Sequence, residues 1–205
     1  MSKIQANQIQ HTQNGAAVFT LPSSDGTNGQ FLKTNASGTL SFGSGGKILQ
    51  VVETVNTNYA SQDTTKNTYS GNLSVDVNIT PSSTSSKIYL VYNIVMSAEV
   101  DSRELTLIPT KTISGTTSVL SRIGDTGGSR TRVGVSQMST SKHSACTHMM
   151  TFLDSPSTTS QITYGFYHTV QHGGAWIIRN SSFSDSNNSD YARYASTVTA
   201  MEVGA

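Results

Sequence analysis

The 205-residue chain has a single cysteine, Cys146, so no intrachain disulfide holds it and its stability must come from packing and hydrogen bonds. Charge is scarce too. Lys, Arg, Asp and Glu make up 12% of the residues, about half the usual share, and the formal net charge is +1. Such a chain has no field to gather nucleic acid or acidic lipid, and its nearest thing to a basic cluster is Arg130 with Arg132. No nucleic-acid partner is expected. The longest apolar run, Ile88–Met96, is interrupted by Asn93 and falls far below the ~20 residues of a membrane-crossing helix, so no membrane insertion is expected. The opening residues MSKIQANQ lack the apolar stretch of a secretory signal, which predicts assembly in a cytoplasm. No apolar stripe of helical period is sustained, which removes helices from the expected fold.

Hydroxyls take the place of charge: Ser and Thr together supply 60 of the 205 residues. Thr favours strands, and Ser favours turns and wet surfaces. A low-charge, Ser/Thr-rich β composition looks extracellular, yet there is no export signal. Virion proteins, assembled inside a host and released by lysis, reconcile the two. The expected localisation is therefore the virion.

Glycine is concentrated in one place. Residues 22–46 read PSSDGTNGQFLKTNASGTLSFGSGG, with six glycines among 25 residues and Phe31, Leu32, Leu40 and Phe42 as the only large apolar side chains. Asp25-Gly26, Asn28-Gly29 and Ser37-Gly38 each predict a tight turn. Gln30–Thr34 and Thr39–Phe42 between them read as short strands. Four large side chains cannot offset a backbone entropy cost of roughly 1–2 kcal/mol per residue, so this leader should gain its shape by sharing apolar surface with other chains. Gly43-Ser44-Gly45-Gly46 reads as a hinge. The expected organisation is an attachment segment and β-stalk over 1–46, then a globular domain over 47–205.

The second part carries period-2 patterns. Leu73, Val75, Val77 and Ile79 alternate with polar residues up to Pro81 and predict a half-buried strand. Ile88–Met96 predicts a central strand buried on both faces. Glu104–Ile113 contains Pro109, which cannot donate to a ladder, and is expected at an edge or bulge. Lys47–Val55, Ala145–Leu153, Gln161–Val170, Ala175–Arg179 and Ser196–Val203 complete the set, with Thr117–Arg122 as a weaker candidate. Eight or nine short strands separated by Ser- and Gly-rich turns predict an all-β antiparallel sandwich or jelly roll.

These phrases carry a family resemblance. Leu21–Val52, LPSSDGTNGQFLKTNASGTLSFGSGGKILQVV, resembles the N-terminal modules of tail-fibre and other appendage proteins of marine tailed bacteriophages. Ile79–Leu90 (ITPSSTSSKIYL), Phe152–Phe166 (FLDSPSTTSQITYGF), Trp176–Ser182 (WIIRNSS) and Ser196–Val203 (STVTAMEV) are similar to the head domains that follow. The resemblance implies a homotrimer with jelly-roll heads like those of the tumour-necrosis-factor and C1q families, above an intertwined trimeric stalk. It implies a short tail fibre that meets the host surface, a polysaccharide or a protein. An adaptor or decoration subunit, and after it a glycan-degrading enzyme, are the alternatives. Attachment to other tail or head proteins is expected through residues 1–20, with Ile4, Ile9, Val18 and Phe19 as the apolar contacts.

Motifs for chemistry are thin. His168 and His172 would straddle a strand end and form no chelating pair, although His148 or His168 placed on a three-fold axis would become three ligands. Asp185-x-Asn187-x-Ser189 imitates the start of a calcium loop but has Asp190 where glycine is needed and Ser196 where glutamate is needed. Cys146 and His148 point to one face of a strand without an orienting partner, and a small buried thiol is the plainer reading. No pair of acids can be placed across a glycosidic bond, and Asp154 is expected to cap local amides. Tyr164 and Trp176 should lie in the core. Tyr191 and Tyr194, beside a polar loop, are the candidate receptor contacts. Catalytic residues, metal and cofactor are expected to be absent.

Overall fold

The structure, a computed structural model, describes residues 7–10, 18–28, 30–44, 47–121, 123–139 and 141–204. The chain divides into two compact units, Met1–Lys47 and Ile48–Ala205. Ile4 lies outside the described residues, as do Gly29, Gly45 and Gly46.

The first unit holds two hairpins. β1 (Gln8–Gln10) pairs antiparallel with β2 (Val18–Thr20), placing Ile9 opposite Phe19. β3 (Gln30–Thr34) pairs antiparallel with β4 (Leu40–Ser44). The turn joining them is built by Asn35, whose side-chain oxygen accepts the backbone N–H groups of Ser37 at 2.9 Å and Thr39 at 3.1 Å. Gly38 closes it at φ 81°, and a Cβ there would lie 2.7 Å from the Val18 carbonyl oxygen. Thr20 N–H donates to Gly38 O at 2.8 Å, which ties the two hairpins together. Gly26 is required by packing: a Cβ would stand 2.6 Å from the Phe42 ring. Gly43 and Ser44, expected in a hinge, belong to β4 instead, because the ladder to β3 continues through Gln30↔Ser44.

The second unit is all-β, with eleven strands among its described residues and no helix, hence none long and apolar enough to cross a membrane. β5 (Ile48–Asn56), β6 (Ala60–Thr64), β8 (Lys87–Ala98), β12 (Cys146–Asp154), β14 (Ala175–Arg179) and β15 (Ser196–Val203) form one sheet. β7 (Val77–Ile79), β9 (Arg103–Ile113), β10 (Thr116–Val119), β11 (Val135–Ser139) and β13 (Ile162–Val170) form the other. Every ladder between these strands is antiparallel. The principal orders are β5-β15-β8-β12 against β7-β13-β9, with β10 and β11 sharing the far side of β9. That is the jelly-roll order.

The core lies between the sheets. Ile88, Leu90, Tyr92, Ile94 and Met96 of β8 face Leu105 and Leu107 of β9 and Ile162, Tyr164 and Phe166 of β13, all essentially inaccessible. Tyr92 meets Phe152 edge-on at 6.1 Å. β8 is central as expected, but only its C-terminal part is buried on both faces. Its N-terminal half alternates, with Tyr89 37% exposed.

Three expectations need correction. Glu104–Ile113 is the centre of its sheet, flanked by β13 on one side and by β11 and β10 on the other. Pro109 is tolerated because its missing N–H falls where β11 gives way to β10; its carbonyl still accepts Leu120 N–H at 2.9 Å. The strand expected from Leu73 pairs only over Val77–Ile79, although its burial alternates throughout. Upstream, the Arg179 guanidinium takes the Leu73 and Ser74 carbonyls at 2.7 and 3.0 Å, and the Ser74 hydroxyl accepts Phe166 N–H, in place of a ladder. Trp176 is not in the core. The register of β14 turns Ala175 and Ile177 inward and leaves Trp176 outward, 47% exposed.

Candidate functional site

The outer face of the β5-β15-β8-β12 sheet mixes exposed apolar side chains with threonine and carries little charge. The register aligns Val51 with Met201 and Tyr89, Tyr89 with Leu153, and Asn93 with Met149 on that face. Val51, Val55 and Met149 are 56, 56 and 65% exposed. Thr147, Thr151, Thr197 and Thr199 fill the rows between them. Only Glu53 and Lys87 bring charge outward on these four strands, and Glu53 accepts a hydrogen bond from Thr199 Oγ1 at 2.9 Å. Contiguous exposed apolar surface of this kind marks an interaction site.

The leader has the same character. None of its described residues is buried, and Ile9, Val18 and Phe19 on β1 and β2 stand out at 55, 36 and 36% exposure. Of the four residues expected to attach the chain, Ile9 and Phe19 form one exposed apolar pair across the ladder, while Val18 lies opposite Gln10 on the other face.

Polar locks hold the second unit rigid behind its apolar face. Asn180, fully buried at φ 62°, donates through Nδ2 to the carbonyls of Asn56 and Asn58 at 2.7 and 3.0 Å and accepts Ser196 Oγ–H at 2.6 Å. The Ser196 oxygen in turn accepts Val95 N–H at 3.0 Å. Glu202 fastens the last strand to the loop after β7, accepting the Ser82 N–H and hydroxyl, each at 2.7 Å, and Gln50 Nε2 at 2.6 Å. Burial pushes its carboxyl up, but the hydrogen bonds from Ser82, Ser86 and Gln50 outweigh it and hold the carboxyl down at about 2. These contacts join residues of the ITPSSTSS, WIIRNSS and STVTAMEV phrases.

The other expected residues are placed as follows. Tyr191 is half-buried, stacked on His143 at 5.6 Å and tilted against Phe183 at 5.2 Å, so part of its ring is used within its own unit. Tyr194 is half-buried, its N–H donating to Asn180 O. His148 and His168 are completely buried, which removes them from any axis between chains. His148 Nε2 lies 3.1 Å from Leu105 O, while neither ring nitrogen of His168 has a partner. Burial, then the charge of Arg179, lowers His168 to about 4. Cys146 is half-buried where a buried thiol was expected, because it opens β12 at the sheet's margin; burial still pushes the thiol up and away from the thiolate a nucleophile needs. Asp185 is ion-paired with Arg193. Asp154 does not cap amides: it accepts Tyr164 O–H at 2.8 Å and binds Lys111 Nζ at 2.9 Å across the two sheets.

No protein-family model and no curated protein matches the chain. Among solved structures it is similar to infectious bursal disease virus of the Gt strain, at 10% identity and a TM-score of 0.37, over 96% of this chain and 46% of that one. The Gx strain gives 11% identity and a TM-score of 0.38 over 95 and 46%. T=1 particles derived from the virus give 11% and 0.40 over 81 and 38%. The chain spans less than half the length of these structures, and at this level the likeness carries no function across.

Proposed function

We propose that the chain is a non-enzymatic structural subunit of a bacteriophage particle, a short homotrimeric tail fibre. Its leader anchors it and winds into a stalk with two copies of itself, and its jelly-roll heads meet the host surface. The observation that carries this reading is the nearly uncharged apolar outer face of the β5-β15-β8-β12 sheet. Closing three such faces about an axis buries what one chain leaves wet, and a three-fold ring closes by repeating one contact around that axis. The leader supports the same reading, since Phe31, Leu32 and Phe42 have no core of their own to enter.

Mass in solution tests the assembly. Light scattering of the full chain at micromolar concentration should give three times 21.8 kDa. Val55→Lys with Met149→Lys, on side chains already exposed in one chain, should give single chains whose near-ultraviolet dichroism is unchanged. A single-chain mass for the parent protein would overturn the trimer. Antibody against the head should label released particles at the tail; labelling on the shell would favour a decoration subunit.

A further inference from the structure

The second sheet presents a different kind of surface. On the outer side of β9 and β13 the register lays down Thr106, Thr110, Thr112, Thr163 and Thr169, with Ile108 opposite Tyr167 in the middle. An outward face should be wet, yet Thr106, Ile108, Thr110 and Thr169 are buried. Two segments rise over them. Residues 66–71 are laced to β13 by Asn67 N–H to Val170 O at 3.0 Å and by reciprocal Ser70–His168 backbone bonds at 3.1 and 2.9 Å. Residues 123–134 are tied down by Gly134 N–H to Leu107 O at 2.9 Å. Thr131 Oγ1 donates to Asn67 Oδ1 at 3.3 Å and links the two walls.

Between the walls lie two clefts of about 350 and 500 Å³, and a third of about 150 Å³ adjoins the second beyond Tyr167. The first two share Asn67, Ser129, Arg130 and Thr131, and the third meets the second at Tyr167, so the three succeed one another as a segmented trough. The clefts run along β9 from Glu104 to Thr112, ~27 Å at strand rise, with the buried Thr106, Ile108 and Thr110 beneath them. Tyr69, 49% exposed, and Tyr167 offer ring surface in the middle. Lys66, Arg130 and Arg132 are exposed along it, and none of the three pairs with a carboxylate among the described residues. Among the described residues that line the clefts, the carboxylates are Glu104, 3.7 Å from His172, and Asp76, which accepts Ser74 Oγ–H.

We propose that this trough binds an extended acidic glycan, which rests on the host-contact reading above and names the site and the ligand class. Hydroxyl and amide walls match the hydroxyls of a sugar chain, and tyrosine rings take the flat apolar faces of sugar rings. Arginines in the middle accept carboxylate, phosphate or sulfate groups in a two-pronged fashion. Three cations are too few to hold nucleic acid through its backbone.

Calorimetry on the full-length protein tests this with three acidic probes, oligogalacturonate, oligoalginate and dextran sulfate, against neutral dextran and single-stranded DNA. At least one acidic probe should bind, with an affinity that falls as salt rises. Arg130→Gln and Tyr69→Ala, two exposed side chains, should each weaken it by about tenfold or more without shifting the melting temperature. No binding of any acidic probe, equal binding by the variants, or equal binding of dextran or DNA would overturn the site. Failure here with a three-chain mass leaves the assembly reading standing. A single-chain mass with trough binding intact removes the assembly reading alone.

Discussion

Leu90, Tyr92 and Ile94 lie wholly buried between two sheets, whereas Phe31, Leu32 and Phe42 sit 64, 49 and 37% exposed on hairpin strands of five residues. Both regions carry large apolar side chains on antiparallel strands. What separates them is a second layer. A hairpin buries one face only when something covers it, and a lone hairpin is marginal in water. The head supplies its own cover, whereas no described residue of the leader is buried.

The sharpest way to break this comparison is to truncate one side chain in each region. Leu90→Ala leaves a cavity in a closed core and should cost about 3–5 kcal/mol, read as a fall in the denaturant midpoint of the head. Phe31→Ala should leave that midpoint within about 0.5 kcal/mol of the parent and instead raise the concentration at which trimers dissociate. If Phe31→Ala destabilised the head as much as Leu90→Ala, the two regions would not be independent in the way proposed.

Acid sharpens the comparison, because the titrating locks lie in the head. His168 is lowered to about 4, so the unfolded chain takes up its proton first. Its contribution is complete above the ordinary value of 6.5 and fades as pH falls from there toward 4, a loss of roughly 3 kcal/mol. His148 shifts the same way, chiefly through burial. Glu202 acts in a lower window: its carboxyl is held at about 2, so its contribution is complete above 4.5 and fades between there and 2. Urea midpoints measured from pH 7 to pH 4 should fall less for His168→Leu than for the parent. Glu202→Gln should lose stability at neutral pH and titrate less below 4.5. Parallel curves for parent and His168→Leu would refute the assignment.

The period-2 rows were readable because burial in a sandwich follows side-chain parity: Leu73, Val75, Val77 and Ile79 are all buried, and Ser196–Val203 is a strand with the expected bounds. β6 (ASQDT) and β11 (VSQMS) were not, since both lie at sheet margins with too few apolar residues to show a pattern. Trp176 misled because a large aromatic in a strand reads as core, while only the pairing of β14 reveals which parity faces in. The apolar face was invisible for the same reason. Val51, Tyr89, Met149 and Met201 come from four separate strands and become one surface only through register. The trough was harder still. Its floor is threonine, which composition reads merely as strand-forming, and its cations Lys66, Arg130 and Arg132 meet only when two distant segments lie over β9 and β13.

The smallest expected effect tests the leader from within. Gly38 has a positive φ of 81°, where a side chain costs about 1 kcal/mol, and an added Cβ would meet the Val18 carbonyl oxygen at 2.7 Å. The strain cannot be relieved by moving a flexible side chain, because both partners are backbone and Thr20 N–H is already bonded to Gly38 O. Gly38→Ala should therefore loosen the junction of the two hairpins by about 1–2 kcal/mol. If the leader gains its cover from its copies, as proposed, that loss appears as earlier trimer dissociation on dilution, with the head's urea midpoint unmoved. A Gly38→Ala protein that dissociates like the parent would mean that the hairpin junction takes no part in holding the copies together.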